Sequence, residues 1–222
     1  MQVTFLYVCT LMNFARLILI SLFLAATLGS FAQSKSKITD IVSGDYDEVK
    51  VSVDSSSRSF TIVDNSQDGN YSCTLFIKGQ LVKNKDGKYP LKAYPYGFNN
   101  QSFDGTLYFR QGKNGHNGTI IVQLSESGSC QNMINYKDGV FLPLDKLYPY
   151  HRFSMVQSDK ATTYADSAGT RAKGHLVQGD LVSVISDHKD YCYVEYLKPA
   201  YMEQVKKKPA FKAWIKKSDL IL

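Results

Sequence analysis

Short runs that alternate apolar and polar residues fill most of this chain, and they constrain its fold more than any other feature. Val49, Val51 and Val53 alternate with polar neighbours, and the runs around Ile77 and Val122 repeat the same period of two. Such a period indicates half-buried antiparallel strands, whereas an amphipathic helix needs a period of about 3.6. No stretch beyond residue 33 keeps the helical period over a useful length. The sequence therefore predicts an all-β protein.

Turn sequences between these runs set the number of strands in the first part of the chain. Asp68-Gly69 and Asp86-Gly87 supply residues that accept the positive φ of tight turns. Such turns separate about seven or eight strands, a number typical of a β-sandwich or an up-and-down barrel. We therefore predict a first domain over residues 33–145, folded as an antiparallel β-sandwich or small barrel.

The first 32 residues carry the pattern of a secretory signal peptide. Arg16 precedes an apolar run at residues 17–24, and residues 30–32 include the small side chains that a signal peptidase reads. Because residues 1–11 contain no basic side chain, initiation at Met12 would give a more conventional signal. We expect a mature periplasmic or secreted protein that is not integral to the membrane. The alternative is a retained anchor, for which the run is shorter than the ~20 residues of a span.

Three cysteines remain after the predicted cleavage: Cys73, Cys130 and Cys192. Export implies an oxidising compartment, in which cysteine pairs persist. Cys73 and Cys130 both border strand-like runs of the first domain, so we predict a disulfide between them. In the chain-entropy model, a disulfide that closes the loop from Cys73 to Cys130 stabilises the fold by about 4 kcal/mol. Cys192, between two tyrosines, is expected to be a small core residue.

The last part of the chain follows a pattern of its own. Thr162 and Tyr164 open it, the run L-x-x-G-D-x-V-x-V begins at Leu176, and the aromatic run YCYVEY precedes a closing strand with Trp214. That order resembles the bacterial SH3-like (SH3b) domain over about residues 153–222. The resemblance implies a C-terminal SH3-like barrel. We expect this second domain over residues 146–222, with an insert at about residues 198–212 that a compact SH3b domain lacks.

The excess positive charge of the chain is concentrated near that insert. The formal net charge is +6, and Lys206, Lys207 and Lys208 lie side by side within the insert. Such a region could meet an anionic envelope polymer or an acidic partner, or it could only keep the insert solvated. We expect no nucleic-acid partner, because export removes the protein from nucleic acid and no binding motif accompanies the lysines.

Motifs that would carry out chemistry are missing from the sequence. The four histidines lack the spacing of metal ligands and of known catalytic motifs. Asp45, Asp47 and Glu48 cluster in one segment, whereas a glycosidase pair must face each other across a cleft. We therefore expect no enzyme, no cofactor and no metal site.

Aromatic residues are the stronger functional signal, because 15 tyrosines in 222 residues exceed what a small core needs. Tyrosine and tryptophan give large contact areas with a polar tip. In SH3-like folds, aromatic grooves bind extended peptides, and the resemblance implies such a groove here. The alternative is that these rings fill the core. The candidate binding residues are Tyr164, Tyr191, Tyr193, Tyr201, Phe211, Trp214, Lys206, Lys207 and Lys208.

Together these features predict an exported, non-catalytic binding protein of the bacterial cell envelope. The favoured partner is an envelope protein that binds the SH3b-like domain and its insert, so that this chain acts as an inhibitor or immunity protein against an envelope-targeting enzyme. One alternative is a module that binds peptidoglycan or cell-wall peptide. Another, carriage of a small molecule in the first domain, would need an apolar lumen.

Overall fold

A computed structural model describes residues 40–97, 101–112, 118–130, 132–198 and 209–222. The predicted signal peptide, the alternative start at Met12 and most of the predicted insert lie outside the described residues. Within them the prediction of an all-β protein is confirmed, since strands are joined by turns, loops and single turns of 3-10 helix. The strands are β1 (Gly44–Tyr46), β2 (Val49–Asp54), β3 (Ser59–Asp64), β4 (Gln67–Asp68), β5 (Tyr71–Ser72), β6 (Leu75–Gln80), β7 (Tyr89–Pro95), β8 (Phe103–Arg110), β9 (Thr119–Leu124), β10 (Val140–Leu147), β11 (Phe153–Val156), β12 (Lys160–Tyr164), β13 (Ala172–Val177), β14 (Leu181–His188), β15 (Tyr191–Tyr196), β16 (Lys212–Lys216) and β17 (Leu220–Ile221).

Eight strands close an antiparallel barrel in the order β1-β10-β9-β8-β7-β6-β3-β2. Of the two predicted forms, sandwich or barrel, the first domain is therefore the barrel. The order is a meander, interrupted only by the small hairpin β4-β5 between β3 and β6. The last strand, β10, pairs with β1 as far as Leu147. The barrel thus continues past residue 145, where the sequence places the end of the first domain.

The period of two in the sequence sorts side chains between the inside and the outside of the barrel. Val51, Ile62, Ile77 and Ala93 lie opposite one another on four neighbouring strands, and all four are buried in the barrel core. Their neighbours in sequence face outward, as Lys92 does. The interior is filled by apolar and aromatic side chains, which exclude water from the barrel and stabilise it.

A disulfide joins Cys73 to Cys130, as predicted, with their Cα atoms 4.6 Å apart. Cys73 lies just before β6, and Cys130 ends a 3-10 turn that follows β9. Both residues are fully buried at the edge of the barrel core. The disulfide therefore ties the loop after β9 to the segment that leads into β6.

The remaining long strands form one seven-stranded sheet in the order β13-β12-β16-β15-β14-β11-β17. This sheet curls into a half-barrel around its own core, which includes Val156, Val184, Val194 and Ile215. Strands β14 and β15 form its central hairpin, in which Lys189 adopts a positive φ of 50°. This half-barrel contains the residues on which the SH3b resemblance depends.

The barrel and the curled sheet share a third apolar cluster, and the described residues from Asp40 to Leu222 belong to one compact unit. Val63 and Phe76 contribute from the outside of the barrel, and Phe153 and Met155 contribute from β11. Polar contacts border this cluster, including a hydrogen bond of 3.0 Å from the Phe153 amide to Thr61 Oγ1. The two sheets are thus held against each other by an apolar contact with a polar rim.

Candidate functional site

Four of the candidate binding residues lie on the outer face of the curled sheet. In β15, Cys192 and Val194 are buried, while Tyr191 and Tyr193 point the other way and are half-buried. Trp214 in β16 and Tyr164 in β12 are half-buried in the same manner. We call this surface the aromatic face; it consists of Tyr164, Tyr191, Tyr193 and Trp214.

Strand register brings these four rings together. Trp214 is paired with Tyr193 on one side and with Tyr164 on the other, so the three residues form a row across β15, β16 and β12. The Tyr193 and Trp214 rings lie 5.2 Å apart between centroids, and Tyr164 meets Tyr191 edge to face at 5.7 Å. Contacts at these distances stabilise aromatic pairs. The rings therefore support one another as a continuous surface.

A polar loop between β12 and β13 borders the aromatic face. Asp166 organises this loop: its carboxylate accepts hydrogen bonds from the amides of Ala168, Thr170 and Arg171. These bonds, led by that of Thr170, lower the pKa of Asp166. Gly169 lies so close to the Tyr191 hydroxyl that a Cβ atom would come within 2.1 Å of it. The loop thus touches the edge of the aromatic face.

Charged residues flank the rings on both sides. Lys216 is paired with Tyr191 in the sheet, and Lys212 makes an ion pair of 3.0 Å with Glu195. His188, at the end of β14, is exposed and lies 6.2 Å from Trp214 between ring centroids. The face therefore combines apolar contact area with both donors and acceptors at its rim, the composition of a binding surface.

The other candidate binding residues lie elsewhere. Phe211 packs against the core of the curled sheet, on the side opposite Trp214, and Lys173 Nζ lies 5.1 Å from its ring centroid. Tyr201 and the three lysines Lys206, Lys207 and Lys208 lie outside the described residues. The structure therefore brings together four of the nine candidates.

Cys192 lies under the aromatic face, in the core of the curled sheet. It is fully buried, and its Sγ lies 3.3 Å from Asp187 Oδ1. Burial, together with this hydrogen bond, raises the pKa of the thiol to about 12. A nucleophilic cysteine needs a lowered pKa and access to solvent. Cys192 is a core residue, in agreement with the expectation from the sequence.

A buried acidic side chain lies beside the disulfide. One ligand atom from each of Asp64, Cys73 and Cys130 falls within 4.8 Å of the others, the kind of grouping that can hold a metal ion. The two sulfurs are bonded to each other, however, so they offer no thiolate. Asp64 instead accepts hydrogen bonds from the Tyr136 hydroxyl at 2.7 Å and the Ser66 hydroxyl at 2.6 Å. Asp64, its two hydroxyl donors and the adjacent disulfide therefore form a structural hydrogen-bonded network.

One charged site was missed by sequence reasoning. Lys78, Lys92 and Arg152 are far apart in the sequence, yet they line one cavity of about 490 Å³ between the barrel and the curled sheet. The alternation in β6 and β7 does predict that Lys78 and Lys92 face outward. That Lys78 lies directly opposite Lys92 depends on the register between β6 and β7, which the local sequence does not reveal.

Within the part of the chain that the structure describes, no helix has the length and apolar character to cross a membrane. Comparison with protein-family models, with curated proteins and with solved structures finds no significant match to this chain.

Proposed function

We propose that this protein is an exported, non-catalytic binding protein whose aromatic face holds an extended segment of a partner protein. One observation carries the proposal: Tyr164, Tyr191, Tyr193 and Trp214 form a contiguous, half-exposed surface instead of filling the core. Half-exposed Trp and Tyr dominate the energetics of protein recognition, because they bury large area for little conformational entropy.

Three further features support this proposal. The ring row runs across three strands, and its rim offers Lys216 and Glu195 for polar contacts. The disulfide fits an oxidising compartment outside the cytoplasm. The SH3b resemblance of the curled sheet adds a peptide-binding precedent, since SH3-like domains bind extended peptides on aromatic surfaces.

We favour a protein partner in the cell envelope, with this chain acting as an inhibitor or immunity protein that blocks an envelope-targeting enzyme. A cell-wall peptide or peptidoglycan is the second candidate, because Lys216 beside Tyr191 places a cation where a wall carboxylate could approach. The two candidates differ in the physical state of the ligand, one a protein in solution and the other an insoluble polymer.

The test is affinity capture by the immobilised protein from envelope and secreted extracts, with a parallel lane that pellets the protein with purified wall. We expect one stoichiometric protein partner. Trp214→Ala should weaken its binding by about 30-fold or more, as for a hot-spot residue of about 2 kcal/mol. Tyr71→Ala is the matched control, because Tyr71 is an exposed aromatic residue of the barrel hairpin.

Two outcomes would contradict the proposal. Binding that Trp214→Ala and Tyr71→Ala reduce equally would remove the aromatic face from the interaction. Pelleting with the wall, abolished by Trp214→Ala and without any captured protein, would favour the second candidate. Thermal unfolding of each variant distinguishes lost contacts from lost folding.

A further inference from the structure

A small pocket lies at one end of the aromatic face. Its volume is about 280 Å³, and it lies between the β12–β13 loop and the turn that joins β14 to β15. We call it the tyrosine pocket, because Tyr191 belongs both to its lining and to the aromatic face. The lining residues are Ser167, Ala168, His188, Lys189, Asp190 and Tyr191. A partner segment that lies on the aromatic face can therefore place a side chain in this pocket.

Hydrogen bonds fix both walls of the tyrosine pocket. In the loop, the Asp166 carboxylate accepts from three backbone amides, and Gly169 lies close to the Tyr191 hydroxyl. In the turn, the Lys217 amide donates to the Asp190 carbonyl oxygen at 2.8 Å, which ties the turn to the residue after β16. A site that is formed before binding loses little conformational freedom when a ligand enters. The pocket is thus suited to hold one side chain in a defined position.

Positive charge predominates around this pocket. Lys189 lies in its lining, and Lys216 is the cross-strand partner of Tyr191. Neither lysine makes an ion pair with an acidic side chain of the described residues. Asp190 is the one acid among the six lining residues. Two lysines and one aspartate leave a net charge of +1 when His188 is neutral.

Acidic side chains close to the pocket already have cationic partners. Asp166 in the loop pairs with Arg171 at 3.6 Å, and Asp187 in β14 pairs with Lys217 at 3.3 Å. At the other end of the aromatic face, Glu195 is neutralised by Lys212. The charge of the face is therefore one-sided, positive at the tyrosine pocket and balanced at the Glu195 end.

The pocket also offers neutral hydrogen-bond donors. Tyr191 and Ser167 each contribute a hydroxyl group, which can donate to a carboxylate. Hydrogen bonds to an ionised acceptor are stronger than those between neutral groups. The cations and the hydroxyl groups therefore favour the same ligand, a carboxylate.

The distance between the pocket and Trp214 suits an extended chain. His188 lines the pocket, and its ring centroid lies 6.2 Å from that of Trp214. Alternate residues of an extended segment point the same way and are about 7 Å apart. A segment on the aromatic face can therefore rest one residue on Trp214 while the residue two positions away enters the pocket.

We propose that the tyrosine pocket receives an acidic side chain from the extended segment of the partner protein. Its carboxylate lies between Lys189 and Lys216 and accepts from the hydroxyls of Ser167 and Tyr191. An apolar residue two positions away lies on Trp214. A basic residue at the acidic position is repelled, because like charges across an interface are unfavourable. This inference rests on the function proposed for the aromatic face and adds the chemistry of the segment that the face selects.

Selection from a random displayed peptide library on the immobilised full chain tests this inference. We expect the enriched peptides to carry Asp or Glu two positions from an aromatic or aliphatic residue. One enriched peptide is then synthesised with Glu and with Gln at the acidic position, and both forms are titrated by fluorescence anisotropy. The Glu form should bind about 10-fold more tightly, the effect of a hydrogen bond to a charged group. High salt should reduce this difference.

Variants of the protein separate the pocket from the rings. Lys189→Met and Lys216→Met should each weaken binding of the Glu form about 3-fold, the effect of one exposed ion pair, and leave the Gln form unchanged. Lys85→Met is the matched control, because Lys85 is an exposed lysine of a barrel turn. Trp214→Ala should weaken both peptide forms by the same factor.

The outcomes distinguish this inference from the function on which it rests. Enriched peptides that need Trp214 but carry no acid, or equal binding of the Glu and Gln forms, would overturn the inference alone. Equal losses in Lys85→Met and Lys216→Met would overturn it too, since the acid would then follow the overall charge of the chain. Soluble wall peptides that bind more tightly than every displayed peptide would assign the pocket to a wall carboxylate instead. Peptides that Trp214→Ala binds as tightly as the parent does would overturn both proposals.

Discussion

Asp64 shows how a single buried side chain couples the barrel to pH. It is only 1% exposed, and its carboxylate is held by the hydroxyls of Ser66 and Tyr136. Burial raises the pKa of Asp64 above its ordinary value of 3.8, and the hydrogen bonds only partly oppose this effect. Ionising Asp64 in the folded protein is therefore less favourable than in the unfolded chain.

The sign of the resulting pH dependence follows from linkage. A raised folded-state pKa means that the folded protein holds the Asp64 proton more tightly than the unfolded chain does. Its contribution to stability is therefore complete below a pH of about 4 and is lost as the pH rises toward the raised pKa. Asp64→Asn removes this loss. We expect the free energy of unfolding of Asp64→Asn, relative to the parent, to increase between pH 4 and pH 7.

Urea unfolding at a series of pH values measures this difference. Asp86→Asn is the control, because Asp86 is an exposed acid in a turn. If the free energies of unfolding of Asp64→Asn and the parent differ by the same amount from pH 4 to pH 7, Asp64 does not cause the pH dependence of stability.

At the scale of the elements, the turn that precedes β14 depends on a glycine. Gly179 has a φ of +89°, and a Cβ atom there would come within 2.1 Å of the Tyr96 ring. Tyr96 follows β7 of the barrel, so this contact links the two sheets. We expect Gly179→Ala to destabilise the protein by about 2 kcal/mol, from the left-handed backbone and the displaced ring together.

Gly87→Ala separates these two contributions. Gly87 also has a positive φ, +74°, but a Cβ atom there would have open space. Its substitution should cost only about 1 kcal/mol, the backbone part of the effect. When Tyr96 is already alanine, the stability lost through Gly179→Ala should fall to the same value of about 1 kcal/mol. A double-mutant cycle based on denaturant unfolding measures this difference. Equal costs for Gly87→Ala and Gly179→Ala in the parent would rule out the ring contact.

The elements also show which features can be predicted from sequence alone. A period of two is a local property, so it predicts the strands and the separation of alternate side chains onto two faces, but it left open whether Tyr193 and Trp214 face the core or the solvent. Register is set by chain closure over long distances, so the row of Tyr164, Trp214 and Tyr193 and the opposition of Lys78 to Lys92 are not visible in the sequence. The extent of β10 is set in the same way: the strand runs to Leu147 and includes Pro143, which lies opposite Thr119.

At the scale of the whole molecule, the shared apolar cluster predicts that the barrel and the curled sheet unfold together. Phe76 is fully buried between them and packs at 6.0 Å from the Tyr94 ring centroid. We expect a single transition, and a loss of about 3–5 kcal/mol for Phe76→Ala. Phe141→Ala is the control, since Phe141 is 55% exposed and its loss should change stability by less than about 0.5 kcal/mol.

Two spectroscopic probes distinguish joint unfolding from independent unfolding. Trp214 is the single tryptophan of the chain, so its fluorescence follows the curled sheet, while far-ultraviolet circular dichroism follows both sheets. Coincident transitions are expected in the parent and in Phe76→Ala. A fluorescence transition that stays in place while the circular dichroism transition moves would mean that the two sheets are independent.

Strand order has a further consequence for self-association. The barrel is closed and so has no free edge, but the curled sheet ends at β13, which pairs only with β12 among the described residues. A free edge offers amide and carbonyl groups to a strand of another molecule, the first step of aggregation. Five of the six residues of β13 are exposed, and Lys173 and His175 lie among them. The charge of Lys173 on this free edge opposes the addition of a strand from a second copy, and so it protects the protein against edge-to-edge aggregation.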